Sequence, residues 1–148
     1  MSVIEDALTA VQAEIERRFG ESAEIRRHAL RDFAELDDAP KLYVEPGRVE
    51  LTRRNVGSPE IAATVRIVSE RRVDLASFDA AAQEELDWFL TAAKSFMKEP
   101  SLGEISGRSS FVRRAGSLQD MPCFYSAEDI GGGVAAVFCG CELEISLV

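Results

Sequence analysis

The chain is poor in the residues that most often carry chemistry. Its 148 residues hold one histidine, His28, and three cysteines, Cys123, Cys139 and Cys141. Any Ser-His-Asp or Cys-His arrangement would have to use His28. That residue sits among arginines, with nothing near it that looks like a nucleophile elbow. An odd number of cysteines, all late in the chain, is not a disulfide framework. A zinc site would need a closer-knit cysteine pair and two further ligands, and only Cys123 and the distant His28 are left to supply them. Long apolar runs are missing too: stretches such as Val134–Cys139 fall far short of the ~18 residues of a membrane span. Basic residues are in deficit, 17 Lys and Arg against 26 Asp and Glu, for a formal net charge of −9. That balance argues against a free-standing nucleic-acid binder, which needs a basic surface to neutralise phosphates. The first residues carry Glu5 and Asp6 where a secretory signal would carry Lys or Arg, so the chain reads as cytoplasmic at synthesis.

What is present describes a folded chain. Hydrophobic residues make up 46% and charged residues 29%, enough apolar side chains for a core. The length suits one domain over residues 1–148. The first segment reads as a helix: Ser2 as N-cap with Glu5 three residues on, an apolar stripe at Val3, Ala7, Leu8, Val11, Ile15 and Phe19, and Gly20 as the stop. Residues 21–40 suit an edge strand over Ala23–Leu30 followed by a loop, with a helical face through Ile25, Ala29, Leu30, Phe33 and Leu36 as the other reading. From Lys41 the period becomes two. Pro46-Gly47 reads as a turn between two short strands, and Asn55–Pro59 as an exposed tip. Ile61–Arg72 is the longest strand, with Ile61, Ala63, Val65 and Ile67 on one side and Glu70, Arg71 and Arg72 running out into solvent.

The second helix is predicted over Asp79–Lys98, its stripe Ala82, Leu86, Phe89, Ala93, Phe96 and Met97 widened by Trp88 and Leu90. Residues 101–122 read as a flexible loop with one strand at most. Ser126–Ile130 suggests a single helical turn, Gly131–Gly133 a permissive connection, and Val134–Val148 the closing strand, with Val137, Cys139, Cys141, Leu143, Ile145 and Leu147 inward. The order predicts an α+β fold, a mostly antiparallel β-sheet with two α-helices packed on one face.

The motifs that could carry chemistry are weak. Gly103–Ser109 has three residues between its glycines where a phosphate loop has four, and Arg108 where Lys belongs. Gly131–Gly133 precedes a strand, so it offers no helix N-terminus to an anion. Glu60 with Glu70 and Arg72 resembles the acidic pair of a metal-dependent nuclease, but an always-protonated Arg72 cannot act as a base. No catalytic, metal-binding or cofactor-binding residue is assigned, and no cofactor is expected. Arg53-Arg54 beside Asn55, Val56, Gly57, Ser58 and Pro59 forms a basic tip on an acidic protein, a candidate surface for a partner or a second copy.

Leu42-Tyr43-Val44-Glu45-Pro46-Gly47, the charged strand ending at Arg53-Arg54, the long strand Ile61–Ser69, Asp87-Trp88-Phe89-Leu90, Phe124–Ile130 and the closing Phe138, Gly140 and Leu143 follow an order with a known counterpart. It resembles small neck proteins of tailed bacteriophages, the tail-terminator or tail-completion class, over nearly the whole chain. The resemblance implies a structural protein, not an enzyme. Copies would form a ring, commonly a hexamer, that caps the tail tube and meets the head-side connector. DNA would pass through without specific binding, a use for an acidic lumen. No membrane is involved, and the place of the protein is the virion neck, with assembly in the host cytoplasm. A neighbouring head-to-tail joining or head-closure protein fits the same resemblance. A metal-dependent nuclease and a host adaptor domain are the readings from other classes.

Overall fold

The computed structural model describes residues 2–26, 41–52, 59–116, 124–131 and 133–148. Helix α1 spans Val3–Phe19, and its ends carry the expected caps. The Ser2 hydroxyl accepts from the Glu5 N–H at 3.3 Å, and Gly20, at φ +65°, donates its N–H to the Glu16 carbonyl at 3.0 Å. A left-handed residue at that place suits glycine, which has no Cβ to clash. Ala7, Leu8, Val11 and Ile15 form the buried stripe. Gln12 on α1 donates to the Ala23 carbonyl at 2.7 Å and holds the start of strand β1, Ala23–Ile25. The expected strand at Ala23 is thus present but short, and residues 27–40 lie outside the described chain.

Strand β2 runs unbroken over Lys41–Thr52, antiparallel to β3, Glu60–Asp74. The turn read at Pro46-Gly47 is instead a bulge within β2, where the register shifts between Pro46 and Val49. Pro46 is tolerated because its side of β2, the side on which the Val44 carbonyl accepts from Arg26, faces beyond the end of β1. A missing N–H breaks no ladder bond there. Gly47 presses against β3: a Cβ built on it would come within 2.5 Å of the Thr64 carbonyl oxygen. The dipeptide therefore bends the strand without ending it.

After a 3-10 turn at Leu75–Ser77, helix α2 covers Phe78–Lys98. Its buried residues are Ala81, Glu85, Phe89, Ala92 and Phe96, with Leu86, Trp88 and Ala93 at the margin. Leu90 and Met97, read as part of the buried face, are exposed. Apolar residues occupy more than half the circumference of α2, and the sheet covers only one side. Strands β4 (Ser101–Ile105) and β5 (Arg108–Gly116) form a hairpin where the sequence suggested a loop. Ser106 (φ +53°) and Gly107 (φ +76°) supply the two left-handed residues of its tight turn. Strand β6, Phe124–Gly131, replaces the helical turn expected at Ser126–Ile130. Gly133, at φ +75°, joins it to β7, Val134–Leu147.

The sheet order is β1-β2-β3-β7-β5-β4, with β6 also on β7. β5 pairs with residues 142–147 of β7 and β6 with residues 134–139, so they share one edge of β7 in succession. All pairings are antiparallel except β1 with β2. Both helices cover one face, and their buried residues join Leu42, Val44, Ala63, Val65, Ile67, Val112, Leu143, Ile145 and Leu147 in a single core. The α+β architecture with two helices on one face of a mostly antiparallel sheet is the one expected. Arg18 of α1 joins the two helix ends, donating to the Ser95 carbonyl at 3.1 Å and the Glu99 carbonyl at 2.6 Å.

Candidate functional site

The basic tip was the sequence's candidate, and Arg53, Arg54, Asn55, Val56, Gly57 and Ser58 lie outside the described residues. The structure describes what carries them. From Gly47 to Thr52 every residue of β2 is exposed, so the second half of β2 is an uncovered edge arm lying beside the start of β3, which itself pairs with β7. Val49 stands opposite Ala63 and Leu51 opposite Ile61, on the helix-bearing face. Neither is covered: Val49 is 45% and Leu51 70% exposed. Pro59, the last residue of the tip, is exposed, and its carbonyl accepts from Arg108 at 3.0 Å. The neighbouring turn is tied to α1 by Ser106, which donates to Asp6 at 2.8 Å. The strand that follows the tip is therefore braced at Pro59, and the arm has an uncovered apolar side.

The opposite face of the arm opens on a polar cleft of about 120 Å³ lined by Arg48, Glu50, Ala62, Thr64, Arg114, Gly116, Glu142 and Glu144. Register explains its alternating charges. Glu45, Arg66 and Glu142 stand side by side across β2, β3 and β7, where opposite charges on neighbouring strands attract. The Arg66 and Glu142 side chains approach to 3.9 Å, and Arg113 and Glu144 to 3.8 Å. The cleft is suited to polar contact with a surface of mixed charge.

Two acids that the sequence sent into solvent or treated as surface are buried. Glu70 is 1% exposed; Arg26 lies 3.1 Å from its carboxylate and stacks 3.5 Å above the Tyr43 ring. Glu85 is 5% exposed beneath α2. Its carboxylate accepts from Ser69 and lies 3.4 Å from Arg71, which also reaches Glu84 at 2.9 Å. Burial pushes the Glu85 carboxyl above its ordinary value, with Ser69 and Arg71 opposing. A cavity of about 160 Å³ beside it is lined by Glu21, Leu42, Ser69, Arg71, Glu84, Glu85 and Trp88. The cluster ties α2 to β3 through Ser69 and Arg71. Sequence missed it because Glu85 has the identity of a solvated helix acid. The signal was its position, four residues from both Ala81 and Phe89.

The other motifs do not assemble. Glu60 and Glu70 sit ten residues apart on one strand, about 33 Å, too far to share an ion. Gly103–Ser109 forms the β4–β5 hairpin, with no helix following it. Cys141 is fully buried, and burial pushes its thiol up to about 12. Cys139 lies on β7, while Cys123 and His28 fall outside the described residues. Among the described residues, no three His, Cys, Asp or Glu side chains are grouped to hold a metal ion, and no helix is long and apolar enough to cross a membrane. Comparison with family models and with curated proteins gives no match.

Proposed function

We propose that the chain is a structural subunit of the neck of a tailed bacteriophage, of the tail-terminator kind. Copies close into a hexameric ring that caps the tail tube and meets the head-side connector, with DNA passing through unbound. The observation that carries this reading is the exposed second half of β2, with Val49 and Leu51 uncovered. A ring needs a head-to-tail contact between two different patches of each subunit. A sheet edge that leaves apolar side chains uncovered is suited to one half of such a contact. The order of elements that prompted the resemblance supports it, as does the charge of −9, which keeps phosphates from sticking. The arm's polar cleft adds a face on which a neighbour could be held without a large apolar area.

The test mixes the purified chain with its tail tube protein and images the product by negative stain. Rings at tube ends, and tubes that stop growing on addition of the chain, are the expected result. A chain without affinity for any tail tube or connector protein would overturn the reading.

A further inference from the structure

The outer face of α2 is the second uncovered apolar surface, and its charges are segregated along the helix. Leu90 is 43% and Met97 51% exposed. Asp79, Glu84 and Asp87 stand in the first half, and Lys94 and Lys98, two of the three lysines in the chain, in the second. Lys94 and Lys98 have no ion-pair partner among the described residues, and Asp87 has no cationic one. A shallow hollow at the C-terminal half is lined by Ala93, Lys94, Met97 and Lys98.

We infer that this face binds the same face of a second copy, with the two α2 helices antiparallel. The helical wheel at 100° per residue places Leu86, Leu90, Ala93 and Met97 in one row and Asp87, Lys94 and Lys98 in the row beside it. A two-fold axis across the helix pair near residue 91 sets each row against its own copy. One register then satisfies both rows. Leu86 meets Met97 of the second copy and Leu90 meets its Ala93, while Asp87 meets its Lys94. A parallel pairing would set acids against acids and lysines against lysines. The occupant is therefore chosen by charge complementarity: the face carries both halves of its own match. Helix α2, 21 residues and about 31 Å long, offers one helix face, less than the ~800 Å² per partner of a standard stable interface. The pairing is a concentration-dependent dimer that weakens with salt.

This two-fold contact closes on itself and differs from the head-to-tail contact of a ring, so it goes beyond the reading above and is tested separately. Analytical ultracentrifugation of the full chain should show a monomer–dimer equilibrium in the micromolar range. Asp87→Lys and Lys94→Glu, each alone, place like charges together and should raise Kd by at least ~10-fold. The double swap Asp87→Lys with Lys94→Glu should restore Kd to within ~3-fold of the starting chain, which damage to the fold could not do. A chain monomeric through the high micromolar range, single variants without effect, or a double swap that fails to restore pairing would each overturn the inference. A closed ring indifferent to these charges would overturn it and leave the neck reading standing. A charge-dependent dimer without affinity for tail tubes would do the reverse.

Discussion

Glu85 on α2 accepts a hydrogen bond from Ser69 on β3, so the second helix is fastened to the longest strand by a buried polar pair. Burial holds the Glu85 carboxyl above its ordinary value of 4.5. The folded state then keeps this proton to a higher pH than the unfolded chain does. Its contribution to stability is present below 4.5 and declines as pH rises through the raised folded value. Glu85→Gln keeps the shape without the charge, and Arg71 retains Glu84. The variant should match or exceed the parent by up to ~1 kcal/mol at pH 7 and lose that advantage near pH 4. Urea denaturation of both proteins across this range checks it. A variant that loses ground as pH rises would contradict the assignment.

Gly47 and Gly116 make a controlled pair. A Cβ at Gly47 would meet the Thr64 backbone at 2.5 Å, whereas one at Gly116 meets nothing within 4 Å. Gly47→Ala should cost about 1–3 kcal/mol by forcing the bulge open. Gly116→Ala should change stability by less than ~0.5 kcal/mol. Equal costs in chemical denaturation would remove the close approach as the reason for glycine.

Arg18 serves α2 more than its own helix. It is 5% exposed and lies 4.6 Å over the Phe96 ring while holding the last carbonyls of α2. Arg18→Ala should destabilise by about 1–2 kcal/mol, since it removes a buried side chain packed on Phe96 together with its bonds across the two helix ends. Arg17→Ala removes an exposed pair with Glu14 and should leave the melting midpoint where it is.

Cys141 tests the burial of the central strand. With its thiol pushed up to about 12, it stays protonated at pH 8 and should resist alkylation in the native state. After denaturation it should react within minutes, read by mass spectrometry of the peptide. Rapid native labelling would mean that β7 opens.

Leu51 tests the arm. Leu51→Asp removes an apolar side chain that touches little, so stability should stay within ~0.5 kcal/mol. Binding to the tail tube protein should fall by at least ~10-fold if the arm is a subunit or partner contact. Unchanged binding would free the arm of that role.

Local signals were legible where they act locally. The Ser2 and Glu5 cap, Gly20 at the helix end, the alternation along Ile61–Ile67 and the buried Val137, Cys141, Leu143, Ile145 and Leu147 of β7 all follow from chain neighbours and period. Ser106-Gly107 was legible in principle, because two left-handed residues between short strands make a hairpin, but the serines, glycines and arginines around it masked the alternation. Ser126–Ile130 failed for a related reason: its composition permits a helical turn, and pairing with β7 makes it a strand.

The sequence by itself determined the α+β class, the two helices and the long strands β3 and β7, the periods that sort inward from outward residues along them, and an acid excess with little catalytic equipment. These depend on residue type and near neighbours. Only the tertiary structure decided which apolar stripe of α2 faces the sheet and that Pro46-Gly47 is a bulge. It also put Glu70 and Glu85 inside the protein and left Leu51, Leu90 and Met97 outside. Each of those depends on where distant strands lie. A carboxylate's solvation and a leucine's exposure are properties of what the fold brings beside them.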